Sequence, residues 1–442
     1  MKEICSSSST NVVPLGWRHR NFRLPILVEA MFPQQSNALS KDSFFSPTEH
    51  SDLRVIFGSG SLDLIGAEAK LLGKKVLLVT DKGIVAAGHV DRALDSLKKA
   101  GLEVTVFDES IENPTSSSIN KCRDVAHSFA TDLLIGFGGG SSMDTAKGCN
   151  FVLTNGGQMK DYWGVGKATR DMLPFIAVPT TAGTGSECQS FALISDDSTH
   201  RKMACGDPKA LAKVALLDPS LTVSQPLSVT ACTGIDAFAH ALESAVTSKR
   251  NEFSARHSRL AFTLLAENLQ RVLLDPHDLN ARGAVLLGAS HAGAAIEQSM
   301  LGAAHSMANP LTANRDVVHG QAVGVCLPAV IRFNSNSSDI LEIYADLSRV
   351  AGFVSQDAKA ESALNGLLAV VEELLTLSGF PMNLEQHGFT VDDIPQLAKE
   401  ASEQWTAGFN PRSLTIEDFE KLYASLFAGT ACAEVAIESS SN

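Results

Sequence analysis

The sequence predicts an α/β N-terminal domain built on a parallel sheet, followed by an all-α C-terminal domain. Up to about residue 222, short apolar runs alternate with amphipathic segments of helical length. This pattern is typical of strand–helix–strand units around a parallel sheet. From Pro226 onward, β-branched runs almost disappear and long helical patterns follow one another. The expected boundary between the two domains therefore lies near residue 222.

Composition limits the class of protein before any motif is considered. At 442 residues the chain is long enough for two or three domains, and 44% hydrophobic with 19% charged residues is typical of a folded globular protein. The formal net charge of −13 disfavours nucleic acid and anionic membrane surfaces as partners, because both would be repelled. No apolar run is long enough to span a bilayer, so we expect no membrane association.

The eight cysteines and the N-terminal segment bear on cellular location. None of the cysteines forms a CxxC pair, and their scatter through apolar segments indicates reduced, buried thiols in the cytoplasm. Residues 1–52 contain four consecutive serines and three arginines but no continuous apolar core, which disfavours a secretory signal. We expect 1–52 to be a flexible N-terminal extension, with organellar targeting as the alternative.

The elements of each domain follow from apolar runs and their turn residues. The strands of the first domain, residues 53–222, are predicted at 54–57, 75–80, 103–107, 133–137, 175–178 and 214–217. One helical pattern between them ends at Gly101, and another covers 116–130. The second domain, residues 223–442, is predicted to contain helices at 227–247, 252–274, 280–307, 320–333, 339–351, 357–378, 391–402 and 415–428.

A glycine-rich turn follows the predicted strand that starts at Leu133, and a helix follows the turn. Its residues are Gly138, Gly139, Gly140, Ser141 and Ser142. Glycines let backbone N–H groups approach a pyrophosphate, and a helix N-terminus adds its positive dipole end. Either serine is expected to cap the helix. The turn differs from the Rossmann GxGxxG fingerprint, and such turns also occur without a ligand, so a dinucleotide site and a plain structural turn remain alternatives at this point.

Two further polar positions follow predicted strands. Asp81 comes directly after the second strand, where a carboxylate can accept hydrogen bonds from an adenosine ribose and repel a 2′-phosphate. The alternative is that Asp81 only caps the helix after it. The segment 179–187, which contains Thr180 and Thr181, is a second polar loop rich in glycine. Beside a dinucleotide loop, its hydroxyls would donate to ribose and phosphate.

A set of metal-ligand residues lies in the predicted helical domain. Asp236 and His240 are four residues apart in an Ala-rich segment that should be helical, so their side chains share one face. With His305 and His319 downstream, they offer one carboxylate and three imidazoles, a set that suits Fe(II) or Zn(II). For the first pair alone, a helix cap or a buried polar contact is the alternative.

Five segments together resemble the iron-containing (group III) alcohol dehydrogenase family, in the family's own order: GGGSSMDTAKG, PTTAGTGSE, GIDAFAHALE, HSMANPLTANRDVVHG and the late Asn410-Pro411-Arg412. The resemblance covers residues from about 53 to 430. It implies a dinucleotide-binding α/β domain, a helical metal-binding and substrate domain, and a cleft between them. The metal ligands that it implies are Asp236, His240, His305 and His319. The cofactor contacts that it implies are Asp81, Asn113, Gly139, Gly140, Ser141, Thr180, Thr181 and Lys202. Gly138 and Ser142 of the same glycine turn complete the predicted set of cofactor residues.

The activity implied by this resemblance is hydride transfer between NAD(H) and a primary alcohol, an aldehyde or a small polyol. The metal is expected to be Fe(II), with Zn(II) second, and to act as a Lewis acid on the substrate oxygen. One alternative is a dehydroquinate synthase-like lyase, which also uses NAD and a metal but needs a basic pocket, for which Arg315 and Arg332 stand out. The other alternative is a non-catalytic binding protein that keeps the fold.

One position departs from the family's usual pattern. Many members carry a histidine four residues after the third ligand, whereas this chain has Asn309. Asparagine can hydrogen-bond an alcohol oxygen but cannot carry a proton at neutral pH. His200, His257 and His291 have no role in the pattern and are expected to be ordinary helix or surface residues. We expect a homodimer or larger homo-oligomer that acts on a small-molecule alcohol or aldehyde.

Overall fold

The computed structural model describes residues 53–199 and 201–427. The predicted N-terminal extension over 1–52 lies outside these residues, as do His200, Cys5 and Cys432. The six cysteines of the described chain are all free and buried, as predicted for core thiols. Among the helices at these positions, none combines the length and apolarity needed to cross a bilayer.

Six parallel strands form the central sheet, and each apolar run that predicted a strand is one of them, so the predicted parallel α/β fold is confirmed. Numbered along the chain, the strands are β1 (Arg54–Phe57), β2 (Lys75–Val79), β3 (Glu103–Phe107), β4 (Leu133–Gly138), β6 (Phe175–Pro179) and β9 (Val214–Leu217). Their order in the sheet is β1-β9-β6-β4-β2-β3. The helices that accompany them are α1 (Ile65–Lys70), α2 (Lys82–Ala86), α3 (His89–Lys99), α4 (Ser116–Phe129) and α5 (Gly140–Asn155).

The strands are stabilised by apolar side chains packed between the sheet and its helices. Leu78, Ile135 and Val178 come from three neighbouring strands and belong to one buried cluster with residues of α1 and α3. Burial of each such side chain stabilises the fold by roughly 1.5–3 kcal/mol. β4 is buried along its whole length, as expected for a central parallel strand.

Strand register brings three loops to one edge of the sheet. Val79 at the end of β2 pairs with Gly136 of β4, and Gly138 at the end of β4 pairs with Pro179 at the end of β6. All three strands run in the same direction, so their carboxyl ends open on the same side. The loops that follow them carry most of the predicted cofactor residues.

A second sheet, of three strands, was not indicated by the sequence pattern. It consists of β5 (Gly164–Val165), β7 (Phe191–Ser195) and β8 (Lys202–Gly206), with β7 and β8 antiparallel. These strands are short, and β7 alternates between more and less buried positions, so no apolar run marks them. The sheet matters for the site because β8 begins at Lys202, one of the predicted cofactor residues.

From Leu227 onward the described chain is mostly helical, as predicted. The helices are α6 (Leu227–Val246), α7 (Glu252–Leu274), α8 (Leu279–Ser299), α9 (Ala303–Arg315), α10 (His319–Asn334), α11 (Ser338–Val350), α12 (Ala360–Leu377), α13 (Ile394–Ser402) and α14 (Ile416–Ser425). The predicted domain boundary near residue 222 falls between a 3-10 turn that ends at Thr222 and the start of α6. It stays a prediction.

The single helix predicted over 280–307 is wrong, because the structure has two helices there, α8 and α9. Met300 has a φ of 79°, and Gly302 is the N-cap of α9. A residue in the left-handed region ends a helix because it turns the chain out of the helical path. The break places His305 in the first turn of α9, so its position depends on how that helix begins.

The loop after β6 packs closely against α8, where Gly185 of the loop meets Gly293 of the helix. Gly185 has a φ of +62°, and a Cβ at this position would lie 2.6 Å from Gly293 Cα of α8. Ser290, one turn earlier on α8, donates a hydrogen bond to the buried Glu187 carboxylate of the loop. The loop therefore lies directly against α8 and fixes the helical part relative to the sheet.

Candidate metal centre and cofactor site

Helix α6 presents Asp236 and His240 one turn apart, as the sequence predicts. Alanines at positions 237, 239 and 241 favour the helix and let neighbouring helices pack closely. Both functional side chains are buried, and His240 Nε2 lies 3.4 Å from Asp236 Oδ1. The pair is thus turned into the protein and not toward solvent.

His305 and His319 come from two further helices and meet the same carboxylate oxygen. His305 lies in the first turn of α9, and its Nε2 is 3.3 Å from Asp236 Oδ1. His319 is the first residue of α10, and its Nε2 is 3.7 Å from that oxygen. Within the described chain, the ligand atoms of Asp236, His305 and His319 lie within 4.8 Å of one another, and the His240 ring stacks on His305 at 4.8 Å. Three imidazole nitrogens and one carboxylate therefore converge, a set that fits Fe(II) or Zn(II).

Burial and mutual contact shift the pKa values of this cluster. Burial would raise the pKa of Asp236, but the neighbouring histidines, His240 first, hold it well below its usual range. Desolvation lowers the pKa of His240 and lowers that of His319 to about 3. Desolvation also opposes protonation of His305, but Glu243 and Asp236 outweigh it and raise its pKa to about 9. At neutral pH Asp236 is therefore ionised and His240 and His319 are neutral, the states that a divalent cation requires of its ligands, whereas His305 is protonated and would have to release its Nε2 proton when a cation binds.

Glu243 is a buried partner of the cluster that sequence reasoning missed. One carboxylate oxygen accepts from His305 Nδ1, and the other accepts from the Ala304 N–H at 2.7 Å. In the neutral imidazole, a proton on Nδ1 leaves the Nε2 lone pair on the Asp236 side. The sequence indicates only that Glu243 lies three residues after His240 and therefore on the same face of α6. Contact with a residue 62 positions away could not be read from that spacing.

Asp81, directly after β2, both caps a helix and carries a carboxylate at the carboxyl edge of the sheet. Its Oδ1 accepts from the backbone N–H groups of Gly83 (2.9 Å) and Ile84 (3.1 Å), which caps α2. Its Oδ2 accepts from Ser142 Oγ at 3.3 Å. The cap interpretation is therefore correct, and the second oxygen faces the glycine turn of the neighbouring strand.

The glycine turn after β4 leads directly into α5. Gly138 has a φ of +155°, and Gly139 is the N-cap of α5 without a side-chain hydrogen bond. The prediction that Ser141 or Ser142 caps this helix is wrong, because the helix begins at Gly140 and both serines lie within its first turn. N–H groups in a first turn have no acceptor within the helix, so they offer a binding site for a pyrophosphate.

Thr180 and Thr181 follow β6 at the same edge. The Thr180 N–H donates to Gly138 O at 2.9 Å, and a Cβ on Gly139 would lie 3.3 Å from the Thr181 side chain, so the two loops touch. The buried hydroxyls of Thr180 and Thr80 have no hydrogen-bond partner within the described chain. A buried polar group left unpaired costs about 1–3 kcal/mol. These hydroxyls at strand ends fit a polar dinucleotide.

Lys202 and Asn113 complete the predicted cofactor residues. Asn113 is exposed in the turn between β3 and α4 and has a φ of 50°. Lys202 has exposed surface at the start of β8, yet enough protein surrounds it that desolvation lowers its pKa. The carboxylates of Asp144, Asp236 and Glu112 oppose that shift. Lys202 thus lies within electrostatic reach of both the helix after the glycine turn and the cluster around Asp236.

Two charged residues of α5 connect the helix after the glycine turn to the loop after β6, a role that sequence reasoning missed. Lys147 is 1% exposed, and its Nζ donates to the backbone carbonyls of Ser186 (2.6 Å) and Gln189 (2.8 Å) in the loop after β6 and to that of Phe191 (3.0 Å), the first residue of β7. Asp144 accepts from Ser186 Oγ at 2.9 Å. Burial lowers the pKa of Lys147. The quoted motif GGGSSMDTAKG contains both residues, but a sequence does not show which loop they contact.

Asn309 lies one helical turn after His305 on α9, and so on the same helix face. Its Nδ2 donates to Gln404 Oε1 at 3.0 Å, and Gln404 Nε2 donates to the Glu400 carbonyl at 3.2 Å. These bonds fix the orientation of the Asn309 amide. Its oxygen remains the group with which it could accept from a substrate hydroxyl.

His257 and His291 are not surface residues, contrary to one of the two predicted locations. Each is 5% exposed, on α7 and α8 respectively, and their Nδ1 atoms lie 2.9 Å apart. Desolvation lowers the pKa of His257 to about 4 and that of His291 to about 3. They are neutral residues within helix packing, in line with the other predicted location, an ordinary helix.

Two family profiles match the chain in succession: "Iron-containing alcohol dehydrogenase" over residues 53–219, and "Fe-containing alcohol dehydrogenase family, C-terminal" over residues 230–427. The chain is 31% identical over 368 residues to the NAD-dependent methanol dehydrogenase of Bacillus methanolicus, which covers 83% of this chain and 96% of the relative. It is 32% identical over 370 residues to the lactaldehyde reductase of Escherichia coli (strain K12), with coverage of 83% and 96%. The crystal structure of a 1,3-propanediol oxidoreductase is similar at a TM-score of 0.81 and 31% identity, covering 84% of this chain and 97% of that chain.

Proposed function

The chain belongs to the iron-containing alcohol dehydrogenase family, and we propose that its substrates are primary alcohols, aldehydes or small polyols. It is an NAD-dependent alcohol oxidoreductase, and relatives named for methanol, lactaldehyde and 1,3-propanediol support a small substrate. The observation that carries the proposal at the level of residues is the convergence of three histidine Nε2 atoms on Asp236 Oδ1.

The proposed metal ligands are Asp236, His240, His305 and His319, which three helices hold together. The metal of the family is iron, so Fe(II) is expected, and the donor set alone would also accept Zn(II). When bound, the ion would act as a Lewis acid that polarises the substrate oxygen and stabilises the charge that develops on it. Asp236 would supply an ionised carboxylate, His240 and His319 would supply neutral imidazoles, and His305 would supply its Nε2 once the proton there is released.

The proposed cofactor residues lie around the carboxyl edge of the sheet and the start of β8: Asp81, Asn113, Gly138, Gly139, Gly140, Ser141, Ser142, Thr180, Thr181 and Lys202. The NAD(H) bound there would supply or accept the hydride. The backbone N–H groups of the first turn of α5 would hold the pyrophosphate. Asp81 Oδ2 would accept a hydrogen bond from the adenosine ribose. The Lys202 ammonium would lie within electrostatic reach of both the cofactor at the carboxyl edge of the sheet and the metal cluster.

The side from which the substrate approaches follows from the solvent exposure of the proposed ligand side chains. Asp236, His240 and His305 are buried, whereas the His319 side chain is 33% exposed. We place the substrate on the His319 side of the cluster. The buried ligands exclude water from the other sides, which strengthens electrostatic interactions at the reacting oxygen. Asn309 can orient an alcohol by hydrogen bonding but cannot take up its proton at neutral pH.

Two observations on the described part of the chain disfavour the alternatives. A dehydroquinate synthase-like lyase would require free cationic groups for an acidic substrate. Arg315 lies 3.6 Å from Asp393, and Arg332 lies 2.7 Å from Glu372, so both candidate arginines already have carboxylate partners. A non-catalytic binding protein that keeps the fold would not need a complete set of metal ligands, and all four proposed ligands are present together here.

We also propose a cytoplasmic location and a homodimer or larger homo-oligomer. The six free, buried cysteines of the described chain support a reducing compartment. Sedimentation of the metal-loaded protein tests the assembly. Imaging of the full chain beside a chain that starts at residue 53 tests whether residues 1–52 act as an organellar signal.

A panel of small alcohols and aldehydes, assayed in both directions with NAD(H), tests the proposed function. The same preparation is analysed for iron and zinc. We expect turnover of at least one small alcohol that requires bound metal. A metal-replete protein that reduces NAD with no member of the panel would contradict the proposal.

A further inference from the structure

Helix α9, which carries the third proposed ligand, has no N-cap side chain of its own. Its N-cap is Gly302, and no side-chain cap bond is present there. The first N–H groups of a helix need acceptors from elsewhere. Two side chains distant in sequence supply them: Asn410 Oδ1 accepts from Ala303 N at 3.2 Å, and Glu243 Oε1 accepts from Ala304 N at 2.7 Å.

The glycine at the cap leaves room for both acceptors. A Cβ on Gly302 would lie 2.9 Å from Asn410 Oδ1 and 3.2 Å from Glu243 Oε1. Any larger residue would displace at least one of them. The missing side chain at the cap and the two remote acceptors are therefore parts of one arrangement.

Glu243 connects the helix start to the ring of the ligand itself. Its second oxygen accepts from His305 Nδ1, so one carboxylate serves a backbone N–H and a side-chain N–H at the same time. A carboxylate has two acceptor oxygens and can satisfy both donors, whereas a carboxamide has one. When the ring is neutral, a proton on Nδ1 leaves the Nε2 lone pair on the side of Asp236.

Asn410 extends the arrangement to the helix of a second proposed ligand. Its Nδ2 donates to Asn334 Oδ1 at 2.8 Å, and Asn334 Nδ2 donates back to Asn410 Oδ1 at 3.1 Å. Both asparagines are buried. Asn334 is the last residue of α10, and His319 is the first. The late segment around Asn410 thus ties the start of α9 to the end of α10.

We propose that Glu243 and Asn410 are positioning residues that cap α9 in place of Gly302 and thereby set the position and the tautomer of His305 for metal binding. The inference rests on the proposed function, because it takes His305 as a ligand. It gives a role to the Asn410-Pro411-Arg412 motif, which neither the metal cluster nor the cofactor edge uses.

Glu243→Gln tests the part played by the carboxylate. The substitution keeps the shape of the side chain, but the amide can accept from only one of the two donors, so the other donor faces an NH₂ group. The affinity of the apo protein for Co(II), measured by titration, should fall about 10–100-fold. The visible absorption of bound Co(II) should change as well, because it reports the ligand field. Unchanged affinity and an unchanged spectrum would overturn the assignment of Glu243.

Asn410→Ala tests the remote cap, and Asp278→Ala is the control for loss of a helix cap. Asp278 caps α8 by accepting from Ala281 N at 2.9 Å, at the opposite end of that helix from the break that precedes α9. Both variants should lose thermal stability, but only Asn410→Ala should lose Co(II) affinity. Gly302→Ala displaces the same acceptors without removing them, so it should also lower the affinity for Co(II). This variant replaces Asn410→Ala in the test if Asn410→Ala does not fold. Wild-type affinity in Gly302→Ala, or equal losses in Asn410→Ala and the control, would overturn the assignment of Asn410.

The wild type separates failure of this inference from failure of the proposed function. A wild type that binds no divalent metal at this site would refute both. A wild type that binds Co(II), loses it in His305→Ala and keeps full affinity in Glu243→Gln and Gly302→Ala would refute only the inference drawn here from the helix cap.

Discussion

Exchange of Asp81 for asparagine separates the two roles of this carboxylate. Oδ1 accepts from Gly83 N and Ile84 N and so caps α2, while Oδ2 accepts from Ser142 Oγ at the carboxyl edge of the sheet, where we propose that the cofactor binds. Asparagine is about as good an N-cap as aspartate and keeps an oxygen for that purpose, but it has no charge. Asp81→Asn should therefore retain the fold and change only the electrostatics at this edge.

The expected cofactor preference follows from the charge that NADP would add. Two unit charges about 4 Å apart interact by ~1 kcal/mol in water and by ~4 kcal/mol at an effective dielectric constant near 20. Asp81 is half-buried, so its repulsion of a 2′-phosphate falls between these values. A charge-assisted hydrogen bond to the ribose of NAD adds roughly 1.5–3 kcal/mol against an unmade one. We expect the wild type to favour NAD at least tenfold in kcat/KM, equivalent to about 1.4 kcal/mol.

Initial rates with NAD and NADP, for the wild type and for Asp81→Asn, measure this preference. The variant should lower the ratio of the two kcat/KM values by about tenfold, mainly by admitting NADP, with stability changed by less than about 0.5 kcal/mol. Asp132→Asn is the control, because Asp132 also accepts from backbone N–H groups, those of Lys74 and Lys75, but at the opposite edge of the sheet. Equal kcat/KM values for the two cofactors in the wild type would refute the reasoning and leave Asp81 as a helix cap alone.

The remaining predictions concern the loop against α8, the substrate position and the metal. Gly185→Ala forces alanine to a φ of +62° and places its Cβ 2.6 Å from Gly293, so urea unfolding should show a loss of about 2–4 kcal/mol, and a loss below about 1 kcal/mol would contradict the close approach. Asn309→His introduces a group that ionises near pH 6.5, so the pH profile of kcat/KM should gain one step there that the wild type lacks; superimposable profiles would place residue 309 away from the substrate. Activity removed by a chelator should return better with anaerobic Fe(II) than with Zn(II), and the reverse order would show that family membership does not decide the metal in this chain.

The fold could be predicted from the sequence where burial alone decides structure. The strands of the central sheet are continuous apolar runs because both faces of a parallel sheet are covered, and all six were found. β7 and β8 were missed because Phe191–Ser195 alternates in burial and Lys202–Gly206 is short and mixed. The break between α8 and α9 was missed because Met300 is an ordinary helix former, so its residue type does not indicate a φ of 79°.

The candidate site could be predicted in its residue types but not in its support. Asp236 and His240 share a helix face by spacing, and their meeting with His305 and His319 was expected from family resemblance, since spacing does not relate three helices. Glu243 reaches His305 only because α9 starts where it does, which no local pattern states. The serine cap predicted for α5 failed because the helix begins earlier, at the glycine turn itself.

The metal content of reconstituted protein, measured beside alcohol-dependent reduction of NAD, tests the central claim most directly. The wild type, His240→Ala, His305→Ala and the control His277→Ala, which changes an exposed histidine, are loaded anaerobically with Fe(II) and freed of excess metal. We predict that the wild type and the control hold metal in equal amount and turn over alcohol. The two ligand variants should stay folded but lose both metal and turnover, because a nitrogen ligand is missing. Full metal content and undiminished turnover in His305→Ala would contradict the assignment of this cluster as the catalytic metal centre.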